Sequence, residues 1–195
     1  MADLKKTIKL GILAEDISDV DVMSVLLRRM SPGINVGIKH FVGHGCGKLR
    51  SKCRDWAVQL ANRGCSVLLL IHDLDRRRLM ELRRELEQSM NPSPIACHLI
   101  VIPIEELEAW MMCDSTALRD VFALKRLPKC PANPESVNSP KEKLGDLIWR
   151  ASEKTRRYLH TIHNAKIANK VVLTSLRRCT AYRHLERFWR EVKAA

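Results

Sequence analysis

The chain has 195 residues, 46% of them hydrophobic, which is room for one domain, or one domain with an appendage, around a sizeable core. Lys and Arg number 34 against 22 Asp and Glu, a net charge of +12 that favours a polyanionic partner through counterion release and disfavours a small-substrate phosphatase. Seven Cys without a C-x-x-C pair, an opening Met-Ala-Asp-Leu-Lys-Lys without a signal-peptide pattern, and no apolar run near the roughly 20 residues of a membrane span argue against secretion and membrane insertion, so a reduced cytoplasmic protein is expected.

Thr7 to Ala14 is rich in Ile and Leu and reads as a buried strand. Ser18 reads as the N-cap of a helix with Val22, Val25 and Leu26 at helical spacing, stopped by Ser31-Pro32-Gly33. Ile34, Val36 and Ile38 alternate as a second strand. The glycine-rich stretch Gly43-His44-Gly45-Cys46-Gly47-Lys48 leads into a helix expected from Leu49 to Asn62. Ser66 to His72 is the clearest buried parallel strand, Arg76 to Met90 a charged helix, and Cys97 to Ile102 a fourth strand. This alternation predicts an α/β fold, a mainly parallel sheet with helices on its faces. The pattern changes after Pro103. The rest reads as helical and basic around a loop from Pro128 to Pro140, giving an expected division into a core (1–112) and a C-terminal extension packed on it (113–195).

Two acidic groups stand where strands end. Glu15 and Asp19 follow the first strand; Asp73 and Asp75 follow the third. In open α/β sheets, sites form outside the carboxyl ends of the strands where strand order reverses, and carboxylates meeting there suit Mg²⁺ or Mn²⁺, as a pair in a phosphodiester-cleaving site. Each acid taken singly is also what an ordinary loop or helix N-terminus carries. Four of them in a basic chain tilt the balance, because clustered carboxylates repel one another without a cation. Glu105, Glu106 and Glu108 are expected to open a helix, with Glu105 and Glu108 on one face as further ligands or a water-positioning base, or simply as helix N-terminal acids. The glycine-rich stretch lacks G-x-x-x-x-G-K-[ST], so it is no nucleotide-binding P-loop; Lys48 either meets a substrate phosphate or sits on a plain connector. No His or Cys spacing matches a structural zinc site, and the Cys residues read as small buried apolar groups. Arg177 and Arg178, in the basic last third, are candidate phosphate contacts, and a solvated helical surface is the plainer alternative.

Glu15-Asp16-Ile17-Ser18-Asp19 resembles the E-G-x-[ST]-D opening of TOPRIM domains, and His72-Asp73-Leu74-Asp75 resembles their D-x-D. Gly47-Lys48-Leu49, Glu105 to Trp110, Tyr158 to Leu173, Cys179 to Tyr182 and Phe188-Trp189 are similar to a small TOPRIM-like family, domain-of-unknown-function family 4276, related to overcoming-lysogenization-defect nucleases. The resemblance implies a Rossmann-like TOPRIM core and a Mg²⁺- or Mn²⁺-dependent nuclease subunit cutting DNA or RNA. It also implies an ATPase partner encoded nearby and a setting in antiviral defence. Glu15 would be metal ligand or general base, Asp19, Asp73 and Asp75 metal ligands, and a late cation the charge stabiliser. The chain departs from the pattern at Asp16, where Gly is usual, at Ile71, where a small hydroxyl residue is common, and at His160, where a Lys is expected. The late cation is then His160 itself or one of Lys154, Lys166 and Lys170. A TOPRIM-fold subunit that binds nucleic acid or an ATPase without cutting is the alternative those departures favour.

Overall fold

Each apolar run is bounded by turn-forming residues and is too short for a core helix, so it is used as a strand. The computed structural model describes residues 6–43 and 45–195. The opening five residues lie outside the described residues, as does His44 of the glycine-rich stretch. The strands are β1 (Thr7–Ala14), β2 (Asn35–Val42), β3 (Val67–Ile71) and β4 (Cys97–Val101), in the spatial order β2-β1-β3-β4 and all parallel. Leu10 lies opposite Ile38 on one side and Val67 on the other, and Leu69 lies opposite Leu99. Helices α1 (Ile17–Arg29), α2 (Cys46–Asn62) and α3 (Leu79–Met90) connect the strands. After β4 come α4 (Glu108–Met111), α5 (Ser115–Phe122), α6 (Pro140–Ala151), α7 (His160–Lys170) and α8 (Thr180–Ala194), with short 3₁₀ turns at Pro134–Ser136 and Leu173–Arg178. The expected Rossmann-like α/β architecture is therefore what the chain adopts.

Strand side chains alternate between faces. Leu10 and Ile12 of β1 with Leu69 and Ile71 of β3 face α1 and the helices after β4. Leu13, Leu68, Leu70 and Ile100 face α2 and α3. Both faces are covered, which is why VLLLI carries no polar residue. Gly11 marks the closest approach of α2, since a Cβ there would stand 2.8 Å from Leu60 Cδ1. Shortening a fully buried residue such as Leu69 to Ala should cost about 2–5 kcal/mol.

Residues 113–195 do not form a separate core: Phe122, Ile148, Ile167, Leu185 and Trp189 belong to the cluster that covers the α1 face of the sheet. Trp189 Nε1 donates to Ser31 Oγ at 2.7 Å, Lys193 Nζ to the Met30 carbonyl at 2.6 Å, and Arg29 Nη1 to the Ala168 carbonyl at 2.6 Å. Cys53, Cys65, Cys113 and Cys179 are buried as small apolar groups, with Cys113 and Cys179 Sγ atoms 3.4 Å apart; Cys97 is exposed. Among the described residues no helix is long and apolar enough to cross a membrane.

Three boundaries differ from expectation. Helix α1 is capped by Asp16 and not Ser18: Asp16 Oδ1 accepts from Ser18 N at 2.8 Å, and Asp19 Oδ2 accepts from Asp16 N at 3.1 Å, closing a capping box. Helix α2 begins at Cys46, so Gly47 and Lys48 are helical. Helix α3 begins at Leu79, because Asp75 and Arg76 have left-handed backbone, φ 48° and 60°.

Candidate metal and catalytic site

Strand order reverses between β1 and β3, whose connections leave to opposite faces and open a crevice at their carboxyl ends. Glu15 follows β1 directly, and Asp73 and Asp75 follow β3. The loops after β3 and β4 stay paired beyond the sheet: His72 N donates to the Val101 carbonyl, Leu74 N to that of Pro103, and Asp75 N to that of Glu105 at 3.2 Å. Asp73 Oδ1 in turn accepts from Leu107 N at 3.0 Å, so one acid loop anchors the other.

The result is a cleft of about 280 Å³ lined by Glu15, Asp16, Asp19, Asp73, Asp75, Glu106 and Glu108, together with Gly45, Lys141 and His160. Burial pushes the Asp19 carboxyl up to about 7; its hydrogen bond from Asp16 N opposes this, and Glu108, Asp16 and Glu15 reinforce it. Burial, then Asp19, Glu108, Glu15 and Asp75, hold Asp73 well above the carboxylate range, so Asp73 feels every main acid of the cleft. Asp75 is raised by burial and by Glu15, against His72 and Lys141. Glu106 is raised by burial, against a hydrogen bond from Lys141 N. Desolvation pulls the Lys141 ammonium down, but Glu108, Glu106, Asp73 and Asp19 together lift it above its ordinary value.

Two supports stand behind the acids. His72, 1% exposed, places Nδ1 2.8 Å from Glu15 Oε1 and 2.6 Å from the Asp73 carbonyl. No well-aligned hydrogen bond reaches that buried Glu15 oxygen. Glu108, 4% exposed, accepts at Oε1 from Tyr158 Oη and Asn164 Nδ2, each at 3.1 Å, and Asn164 Nδ2 also lies 3.0 Å from Ser18 Oγ. This network joins α4, α7 and α1 around one carboxylate, through residues far apart in sequence.

Of the sequence candidates, Glu15, Asp19, Asp73, Asp75, Glu108 and His160 come together in the cleft. Glu105 does not. It is not helical but has φ 58°, so helical spacing does not govern it; Oε2 accepts from Arg76 N at 3.1 Å, and Glu106 takes its place at the cleft. Lys166 is exposed on α7 and does not line the cleft, and Lys154 and Lys170 are exposed elsewhere. The cation of the cleft is Lys141, brought in when Glu106 accepts from its backbone N at 2.6 Å, with Nζ 3.9 Å from Glu108 Oε1. His160 Nε2 lies 3.9 Å from Asp16 Oδ1 at the rim. Lys48 is exposed in the first turn of α2, three residues beyond Gly45.

Arg177 and Arg178 are committed within the protein. Arg177 makes a forked pair with Glu186 at 2.9–3.1 Å, and Arg178 donates to the Cys113 and Ala132 carbonyls. Of the departures from the TOPRIM pattern, Asp16 is used as the α1 cap and Ile71 is core. Among the described residues no three His, Cys, Asp or Glu side chains already stand at metal-ligating spacing. The family model described as a domain of unknown function (DUF4276) matches residues 15–193, a stretch that includes every residue lining the cleft. No curated protein and no solved structure matches the chain.

Proposed function

The chain belongs to the DUF4276 family, and from that premise we propose that it is a TOPRIM-like nuclease subunit that uses Mg²⁺ or Mn²⁺ to hydrolyse phosphodiester bonds of DNA or RNA. The observation that carries the reading is the gathering of seven carboxyl side chains around one open cleft at the switch point of the sheet, in a chain of net charge +12. Such a gathering is unfavourable until a cation relieves it; burial first, and the neighbouring carboxylates after it, raise Asp19, Asp73 and Asp75. The donors are all hard oxygens, the kind that Mg²⁺ and Mn²⁺ take, so the residues fit a divalent cation.

Asp73, which shares the cleft with Asp19, Glu108, Glu15 and Asp75, would hold the metal with Asp19 and Asp75. A bound Mg²⁺ or Mn²⁺ supplies the charge that draws in the phosphate and acidifies a water. Glu15, fixed by His72, takes the proton of the attacking water. The water oxygen bonds to phosphorus as the bond to the leaving strand oxygen breaks, and Lys141, with His160 at the rim, offsets the charge that develops. The TOPRIM likeness alone supports a gating ATPase partner and a role in antiviral defence, and seven Cys without a C-x-x-C pair support a reduced, cytoplasmic location.

A non-catalytic subunit that docks nucleic acid or an ATPase is the second reading, favoured by the departures from the TOPRIM pattern at Asp16, Ile71 and His160. The test is incubation of the protein, alone and with the ATPase of a neighbouring gene, with plasmid, single-stranded DNA and transfer RNA in Mg²⁺ or Mn²⁺. Cleavage that EDTA stops is the expected result. No cleavage of any substrate in either metal with the partner present leaves the second reading.

A further inference from the structure

The acid cleft repels phosphate until it holds a cation, and Arg177 and Arg178 are spent on internal contacts, so a polyanionic strand needs another place to bind. The loop after α5 supplies one. Lys125, Arg126 and Lys129 face Lys143 and Arg150 of α6 across a groove of about 450 Å³, with Glu153 its one acid. Lys125 lies 4.0 Å from Glu153, and Arg150 4.0 Å from Asp146; Arg126, Lys129 and Lys143 have no acidic partner among the described residues. Leu127, 52% exposed, and Leu147 give the groove an apolar lining between its cations. A smaller recess sharing Lys125, Ala151 and Glu153 continues it to Ser152, Thr155 and Arg156. At about 100° per residue, Lys143, Leu147 and Arg150 share one face of α6, and Lys141 lies about 160° away on the face turned to the cleft.

We propose that this groove is a nucleic-acid binding site, its lysines and arginines holding successive backbone phosphates of a single strand while Leu127 and Leu147 meet sugar and base. The charge and the apolar lining match what such a strand offers, anionic oxygens alternating with flat apolar groups. The groove anchors the strand on one side of α6, and the chemistry belongs to the other. The proposal rests on the nuclease reading for the identity of its occupant and not for the binding itself.

The test is fluorescence anisotropy of a labelled 20-nucleotide thymidine strand in EDTA between 50 and 200 mM salt. Lys129→Glu with Lys143→Glu should weaken binding on the order of tenfold and flatten the slope of log affinity on log salt by about 1.4, the single-strand value for two lost phosphate contacts. Lys170→Glu with Arg190→Glu, exposed cations on other helices, removes equal charge and should change both far less. Unaltered melting temperatures show that each variant is folded. Equal losses in the two double variants would reduce the groove to net charge and overturn the proposal. So would an unchanged strand affinity in the groove variant, including the case where polyglutamate binding is lost instead, as for an acidic protein partner. Wild-type protein that binds through the groove yet cuts nothing in Mn²⁺ with its partner would sink the nuclease reading and leave the groove; cleavage with groove-independent binding would do the reverse.

Discussion

The cleft and the groove lie on two faces of α6 and differ in more than sign of charge. The cleft acids are held: Asp73 by Leu107 N, Glu108 by Tyr158 and Asn164, Glu15 against a buried His72, on loops with left-handed residues at Asp75, Arg76 and Glu105. The groove cations are exposed, and Arg126, Lys129 and Lys143 have no acidic partner among the described residues. Fixed groups suit a small ion with strict geometry, and free ones suit a flexible chain of phosphates. The contrast teaches that chemistry and affinity are separable in this molecule, so substitutions on one side of α6 should leave the other side's property intact.

The largest effect expected is at Asp73. Asp73→Asn keeps an oxygen for Leu107 N but removes the central charge. Cleavage should fall at least about a hundredfold, and strand affinity in EDTA should hold. A variant that loses affinity in step with cleavage would break the separation.

Next comes pH. The Asp19 carboxyl is raised by folding from its ordinary 3.8 to about 7, so the folded state binds that proton more tightly than the unfolded chain. The stabilisation is full below about pH 4 and is lost as pH rises through about 7, with the raised Asp73 and Asp75 acting in the same direction. Chemical denaturation in EDTA should therefore show stability falling from pH 4 to 7, a tenfold difference in proton affinity being worth about 1.4 kcal/mol. Mn²⁺ should flatten that fall. The groove cations should contribute nothing to it, so Lys129→Glu with Lys143→Glu should show the same slope as the parent.

In steady-state cleavage the same groove double variant should raise KM on the order of tenfold with kcat nearly unchanged, because the groove contributes uniform binding. A fall in kcat with constant KM would place those lysines at the reacting centre.

The smallest effect belongs to the support of Glu108. Tyr158→Phe removes the hydroxyl that reaches both Glu108 Oε1 and Asn164 Oδ1, and unfolding should show a loss of about 0.5–1.5 kcal/mol. The variant should need more Mn²⁺ for half-maximal activity, while strand binding in EDTA stays as in the parent.

What could be read before the fold follows from the same contrast. The strands were legible because buried parallel strands are continuous apolar runs, and Glu15, Asp19, Asp73 and Asp75 because strand order alone places them at a switch point. Glu105 was misplaced because its left-handed backbone breaks the helical spacing that would pair it with Glu108. Lys141 was invisible because what brings it to the cleft is a tertiary contact, Glu106 to its backbone N, 35 positions away across α4 and α5. Tyr158 and Asn164 lie 50 and 56 positions from the Glu108 they hold, with no local pattern to join them. The contacts of Arg177 and Arg178 were not legible either, because a count of basic residues does not distinguish a free guanidinium from one facing Glu186 or a backbone carbonyl.

The measurement that bears most directly on the cleft is calorimetric titration of Mn²⁺ into the protein and into Asp73→Asn at pH 7. The parent should bind saturably and release protons from its raised carboxyls, the variant should lose that binding, and the groove double variant should bind as the parent does. Equal Mn²⁺ binding by parent and Asp73→Asn, or none by either, would contradict the metal site proposed for the cleft.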